Sequence, residues 1–251
     1  MKKYRSWLLI ALLLMATAGL VLWSRVTAYL EGEGFRQNIE EFISGKFHAA
    51  AELEPLHWNG SAVQSASLRL SGSPESKLRS MEARNLRVRM DWSALLSGAW
   101  RVEEFLVDRL RAEFGEANAT AKSSPRLSMK EVALLPTKFE LGATLVSQAD
   151  LDFGEVEITG TELEIQPAGT GWKVHGKGGN FTCPHLPPMA IDSFQAEWAD
   201  GKTTIHSSAL RLGVAGKISA SGNWPGAVDF EWANVSPGDL LGEGWSQKLD
   251  G

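Results

Sequence analysis

Asn85–Phe114 reads NLRVRMDWSALLSGAWRVEEFLVDRLRAEF, and this stretch decides the fold. Leu86, Val88 and Met90 alternate with Arg87 and Arg89, and Leu110, Ala112 and Phe114 alternate with Arg111 and Glu113. Apolar residues at every second position give an extended chain one face for a core and one for water. Between the two runs, Asp91–Trp100 carries a Leu95-Leu96 pair, then Gly98, then Trp100, which reads as a capped helical turn. The unit is strand, small helical corner, strand.

The same period spreads outward in both directions. Ala66, Leu68 and Leu70 precede the stretch, and Leu151-x-Phe153, Val156-x-Ile158 and Leu163-x-Ile165 follow it. Further pairs and triplets sit at Trp172/Val174, Phe194/Ala196/Trp198, Leu210/Leu212/Val214, Ile218/Ala220 and Val228/Phe230/Trp232. Turn residues punctuate them at Ser71–Pro74, Ala168–Gly171, Ala199–Lys202 and Asn223–Gly226. About a dozen short strands, closely spaced, predict an antiparallel sheet with one apolar and one polar face. Ser236–Trp245 echoes the first corner, again with a leucine pair, a glycine and a tryptophan.

Only one helix is available to cover this apolar face. Gly34–Phe47 places Phe35, Ile39, Phe42 and Ile43 at helical spacing opposite Arg36, Gln37, Asn38, Glu40 and Glu41. It is expected to lie on the first strands as a plug. One helix and two corners cannot cover so many half-apolar strands, so the sheet is expected to curve into an open apolar groove. Leu110, Ala112, Phe114, Leu151, Phe153, Ile158, Leu163 and Ile165 are the residues expected to line it. A mainly β body (residues 55–251) thus follows a linker and amphipathic helix (residues 26–54).

The first 25 residues are of another kind. Lys2, Lys3 and Arg5 precede an uncharged, leucine-rich run from Trp7 through Leu14 to Trp23. As a helix it measures roughly 25 Å, near the thickness of a bilayer's hydrocarbon. This predicts a single-pass signal-anchor with the cationic end in the cytoplasm and the body exported. A signal peptide cleaved after Ala16-Thr17-Ala18 is the rival reading, and it exports the body too.

Composition excludes more than it assigns. The net charge is −5, so no basic surface for nucleic acid is expected. The single cysteine, Cys183, leaves packing and hydrogen bonds to hold an exported fold. No Gly-x-Ser-x-Gly elbow, phosphate-binding glycine loop or His-Glu-x-x-His motif occurs, and the five histidines are dispersed. Cys183-Pro184-His185 fits no common zinc spacing. No enzyme chemistry, metal or cofactor is expected.

A cationic signal-anchor, an aromatic helix and then Asn85–Phe114, with ALRLGVAGKISASGNW at Ala209–Trp224 and the corner after it, resemble the AsmA-like and TamB-like proteins. The resemblance implies an inner-membrane anchor, a periplasmic β-sheet body curled into an apolar groove, and a part in outer-membrane biogenesis and phospholipid movement. It implies membrane lipid as the partner, with other envelope proteins beside it. Under it the sequons at Asn59, Asn118, Asn180 and Asn234 are chance. The body is short for a bridge between membranes, and Leu249-Asp250-Gly251 reads as a strand opening, so that either the protein ends unusually or the chain is a piece of a longer one. A periplasmic scaffold that binds by strand addition, and an exported sugar-binding β-sandwich, are the two other classes this pattern admits.

Overall fold

A computed structural model describes residues 24–235, apart from residues 26, 30, 61, 75, 92–98, 116–137, 185, 200, 201, 214 and 225. The expected anchor residues Trp7, Leu14 and Trp23 lie outside the described residues, as do most of the first helical corner and all of the second. Among the described residues no helix is long and apolar enough to cross a membrane.

The expected amphipathic helix is α1 (Glu33–Phe47). Glu33 stands in its first turn, where a carboxylate suits the unpaired N–H groups. It ends at His48, whose left-handed backbone (φ 52°) directs its N–H to the Ser44 carbonyl and turns the chain into the sheet.

Among the described residues thirteen strands then form one sheet. They are β1 (Ala49–Leu53), β2 (His57–Trp58), β3 (Ala62–Gly72), β4 (Leu78–Asp91), β5 (Ala99–Phe114), β6 (Lys138–Asp152) and β7 (Glu157–Ala168). After them come β8 (Gly171–Lys177), β9 (Asn180–Cys183), β10 (Leu186–Ala199), β11 (Lys202–Leu212), β12 (Gly216–Trp224) and β13 (Val228–Ala233). Their order is β1-β3-β4-β5-β6-β7-β8-β10-β11-β12-β13, with β2 on β3 and β9 between β7 and β10. The chain is thus mainly β, as the alternation requires.

Three expectations need correction. The sheet is mixed: β5 and β6 pair in parallel, from Ala99–Lys138 to Glu113–Asp152, and every other pair is antiparallel. A parallel neighbour needs a connection of a dozen or more residues, and 23 residues separate Phe114 from Lys138 in the sequence. The strands are also longer than expected. β5 has 16 residues and β6 has 15, because Leu151 merely ends a strand that starts at Lys138. Val156–Ile158 and Leu163–Ile165 belong around one strand, β7, interrupted at Gly160 (φ 67°).

The alternation itself slips. In β3 Val63 and Ser65 are buried, then Leu68 and Leu70, so Ala66 faces outward against expectation. The ladder steps from Ser65–Leu86 to Ser67–Arg84 in β3·β4, and from Val107–Val146 to Arg109–Gln148 in β5·β6. Ala66, Asn85, Asp108 and Ser147 form the skipped row, all exposed, with Asn85 at φ 53°. One extra outward residue in each of the four strands, at the same row, keeps the same face inside on both sides of it.

Two apolar clusters result. The larger joins α1 to β1 through β7, with Leu70, Val146 and Ala149 almost wholly enclosed. The buried hydroxyls of Ser65 and Thr161 are satisfied: Ser65 Oγ donates to the Glu54 carbonyl (3.0 Å) and Thr161 Oγ1 to the Gly178 carbonyl (2.6 Å). At Gly176 the space a side chain would take is filled by the Phe194 ring. The smaller cluster holds Met189, Leu212 and Ile218. β10 reaches it past Pro187 and Pro188, which sit at the irregularity between Leu186–Cys183 and Met189–Phe181, where a missing N–H costs no regular ladder bond. On the outward face, charges pair across strands: Arg69 with Glu82, Arg89 with Glu104 and Arg101 with Asp91.

Candidate functional site

α1 presents two adjacent flanks to the sheet. Phe35, Ile39 and Ile43 recur every four residues and pack on the larger cluster, with Phe35 only 4 % exposed. Arg36, Glu40 and Ser44 recur at the same spacing, one position on, and meet the free edge of β1. There the Ala51 N–H donates to Ser44 Oγ (3.1 Å) and the Leu53 N–H to Glu40 Oε1 (2.8 Å). Arg36 Nη1 donates to the Leu53 carbonyl (2.8 Å), and its guanidinium also bonds Glu33, which holds the Glu33 carboxyl below its usual range. Arg36 and Glu40, expected on the outer face of the helix, instead serve β1 as a neighbouring strand would. A polar line at i, i+4 and i+8 beside the apolar stripe was the signal in the sequence.

Between α1 and the sheet lies a cavity of about 280 Å³. The helix contributes Phe35, Asn38, Ile39, Phe42 and Ile43. The floor is Val63, Leu68, Leu86, Val88, Met90, Val102 and Phe105, and the chain around β1 closes one end with Leu53 and Leu56. Asn38, Gln64 and Ser65 are the polar residues in this wall. An apolar cavity of roughly 150 Å³ already stays dry and accepts benzene. This one is nearly twice that size but opens to solvent past Phe42, and its chemistry suits a hydrocarbon rather than a polar ligand.

All four expected plug residues line it. Phe42 does so from the rim, 44 % exposed, because it lies on the solvent side of the stripe. The eight positions expected to line a groove lie elsewhere. Leu110, Phe114 and Leu151 pack against the larger cluster beyond the skipped row, and Ala112 and Leu163 are buried inside it, each 3 % exposed, with no surface left for a ligand. Ile158 and Ile165 are half-buried on β7. Phe153 is exposed just past β6 and stacks on Phe114, ring centroids 4.9 Å apart. None of the eight borders the cavity. Period-two reading found their face but not the part of that face left unfilled, because only the third dimension locates the gap between α1 and the sheet.

Comparison with known proteins adds no relative: no family model, curated protein or solved structure matches the chain.

Proposed function

We propose that this protein is a membrane-anchored, exported β-sheet protein of the AsmA-like kind, which shelters lipid acyl chains on the apolar face of its sheet. In this reading residues 1–25 hold it in the inner membrane, the body stands in the periplasm, and its work belongs to outer-membrane biogenesis. The observation that supports it is the apolar cavity beneath α1. Each methylene that leaves water for such a wall contributes about 0.8 kcal/mol, so part of one acyl chain is held without any polar recognition.

The tether supports the reading as well. Residues 24–34 separate Trp23 from Phe35, a span of at most about 40 Å even if fully extended. An anchor ending at Trp23 therefore keeps the cavity within reach of the bilayer surface. Sheltering is passive: the headgroup stays in water and no side chain does chemistry.

The test uses full-length protein, extracted gently and examined by mass spectrometry for co-purifying lipid. Photo-crosslinking residues at Val88 and Phe105, which pair across β4 and β5 and both line the cavity, should label that lipid. Crosslinkers at Arg87 and Arg89, on the opposite face, should not. Equal labelling from both faces, or none from either, refutes the proposal.

A further inference from the structure

The two edges of the sheet are treated differently. β1 is capped by Glu40, Ser44 and Arg36, which occupy the Ala51 and Leu53 N–H groups and the Leu53 carbonyl on its outer edge. At the other end, β13 pairs with β12 on one side only, and among the described residues no strand pairs with its outer side. Alternate residues of an edge strand point N–H and C=O away from the sheet, so β13 offers a row of backbone groups that no strand among the described residues uses.

Its side chains are sorted. Phe230 stands opposite Ala220 and Trp232 opposite Ile218, and Ile218 is buried in the smaller apolar cluster. Opposed residues share a face. Phe230 and Trp232 therefore extend the apolar face, yet they are 58 % and 47 % exposed. Asp229 and Glu231 lie on the other face, where Ser221 and Ser219 stand opposite them. Elsewhere that face matches acids to bases across strands, as in Arg69–Glu82, Arg89–Glu104 and Arg101–Asp91. Lys217, the cation of β12, stands opposite Ala233 instead.

We infer that the free side of β13 receives an extended segment of a partner protein that alternates apolar residues, set beside Phe230 and Trp232, with lysine or arginine set beside Asp229 and Glu231. The backbone supplies the adhesion and the alternation supplies the choice. A second copy of this chain is the poorer occupant. β13 laid against β13 brings two pairs of acids onto one face, and like charges in such positions destabilise a ladder. The inference is independent of what fills the cavity under α1.

The experiment measures binding of short fluorescent peptides to the full-length protein at low ionic strength. One peptide alternates valine with lysine, and its control alternates valine with glutamate. The lysine peptide should bind roughly tenfold more tightly, because two ladder pairs change from opposite to like charge in the control. D229K/E231K should invert that order. N-methylating the lysine peptide at one set of alternate residues should abolish binding, while the other set, facing solvent, should leave it intact. Equal binding of the two peptides, no binding of either, or an order unchanged by D229K/E231K overturns the inference. So does tolerance of both methylation sets, or concentration-dependent dimerisation that blocks the peptide.

Discussion

Phe35→Ala against Phe42→Ala is the perturbation that tests most directly how α1 sits on the sheet. Phe35 is 4 % exposed, and its ring is packed into the larger cluster while forming part of the cavity wall. Truncating a phenylalanine in such a place removes its burial and leaves space the neighbours cannot close, a loss of roughly 3–5 kcal/mol. The existing cavity makes collapse harder, so the upper half of that range is expected. Phe42 keeps nearly half its surface in water. Its loss removes about half of one aromatic burial and opens to solvent, so about 1–1.5 kcal/mol is expected. For a chain of this size the difference separates a fall in Tm of roughly 10 °C or more from one of a few degrees. Urea unfolding followed by the intrinsic fluorescence of the tryptophans reads both variants, with unchanged m-values as the check that the same unit unfolds. If Phe35→Ala lies within about 1 kcal/mol of wild type, or costs no more than Phe42→Ala, then α1 is not docked as described and the cavity beneath it is not a persistent feature.

Glu40→Ala removes the acceptor of the Leu53 N–H, so hydrogen exchange at Leu53 should accelerate and stability should fall by roughly 1–3 kcal/mol, while unchanged exchange at Leu53 would contradict the capped edge. Gly176→Val places new carbon where the Phe194 ring lies, and overpacking of about 1–3 kcal/mol is expected in thermal unfolding, relieved by adding Phe194→Ala. The Arg84 guanidinium bonded to Glu82 holds that carboxyl below its ordinary value of 4.5, with Arg69 adding to the effect. Because the folded value is lowered, the pair's contribution is fully present above the ordinary value and is lost as the pH falls through the folded one. Side-chain NMR should therefore find Glu82 titrating below an exposed reference glutamate, and Arg84→Gln should raise it; a Glu82 value unmoved by Arg84→Gln would refute the assignment.

The sequence by itself determined which residues of Leu86–Met90 and Leu110–Phe114 share a face, and that Phe35, Ile39 and Ile43 form a stripe. Both follow from local geometry, since the positions of neighbouring side chains are set by the 2.0 and 3.6 periods of strand and helix. It also determined that the chain is mainly β, because the run of half-apolar strands leaves little else to form. What it could not determine is which strand lies beside which. β5 and β6 are parallel neighbours, and nothing in the alternation of Leu110–Phe114 distinguishes a parallel partner from an antiparallel one. The slip at Ala66, Asn85, Asp108 and Ser147 was equally hidden, since one extra residue is absorbed only when the neighbouring strands carry it at the same row. The same dependence on distant partners hid the candidate site. Arg36 and Glu40 read as a solvated helix face until β1 arrives with unpaired N–H and C=O groups. The cavity exists because α1, held to that edge, stands off a floor built from β3, β4 and β5. Local chemistry chose the faces, and only long-range packing decided which part of the apolar face is left unfilled and which edge, among the described residues, is left open.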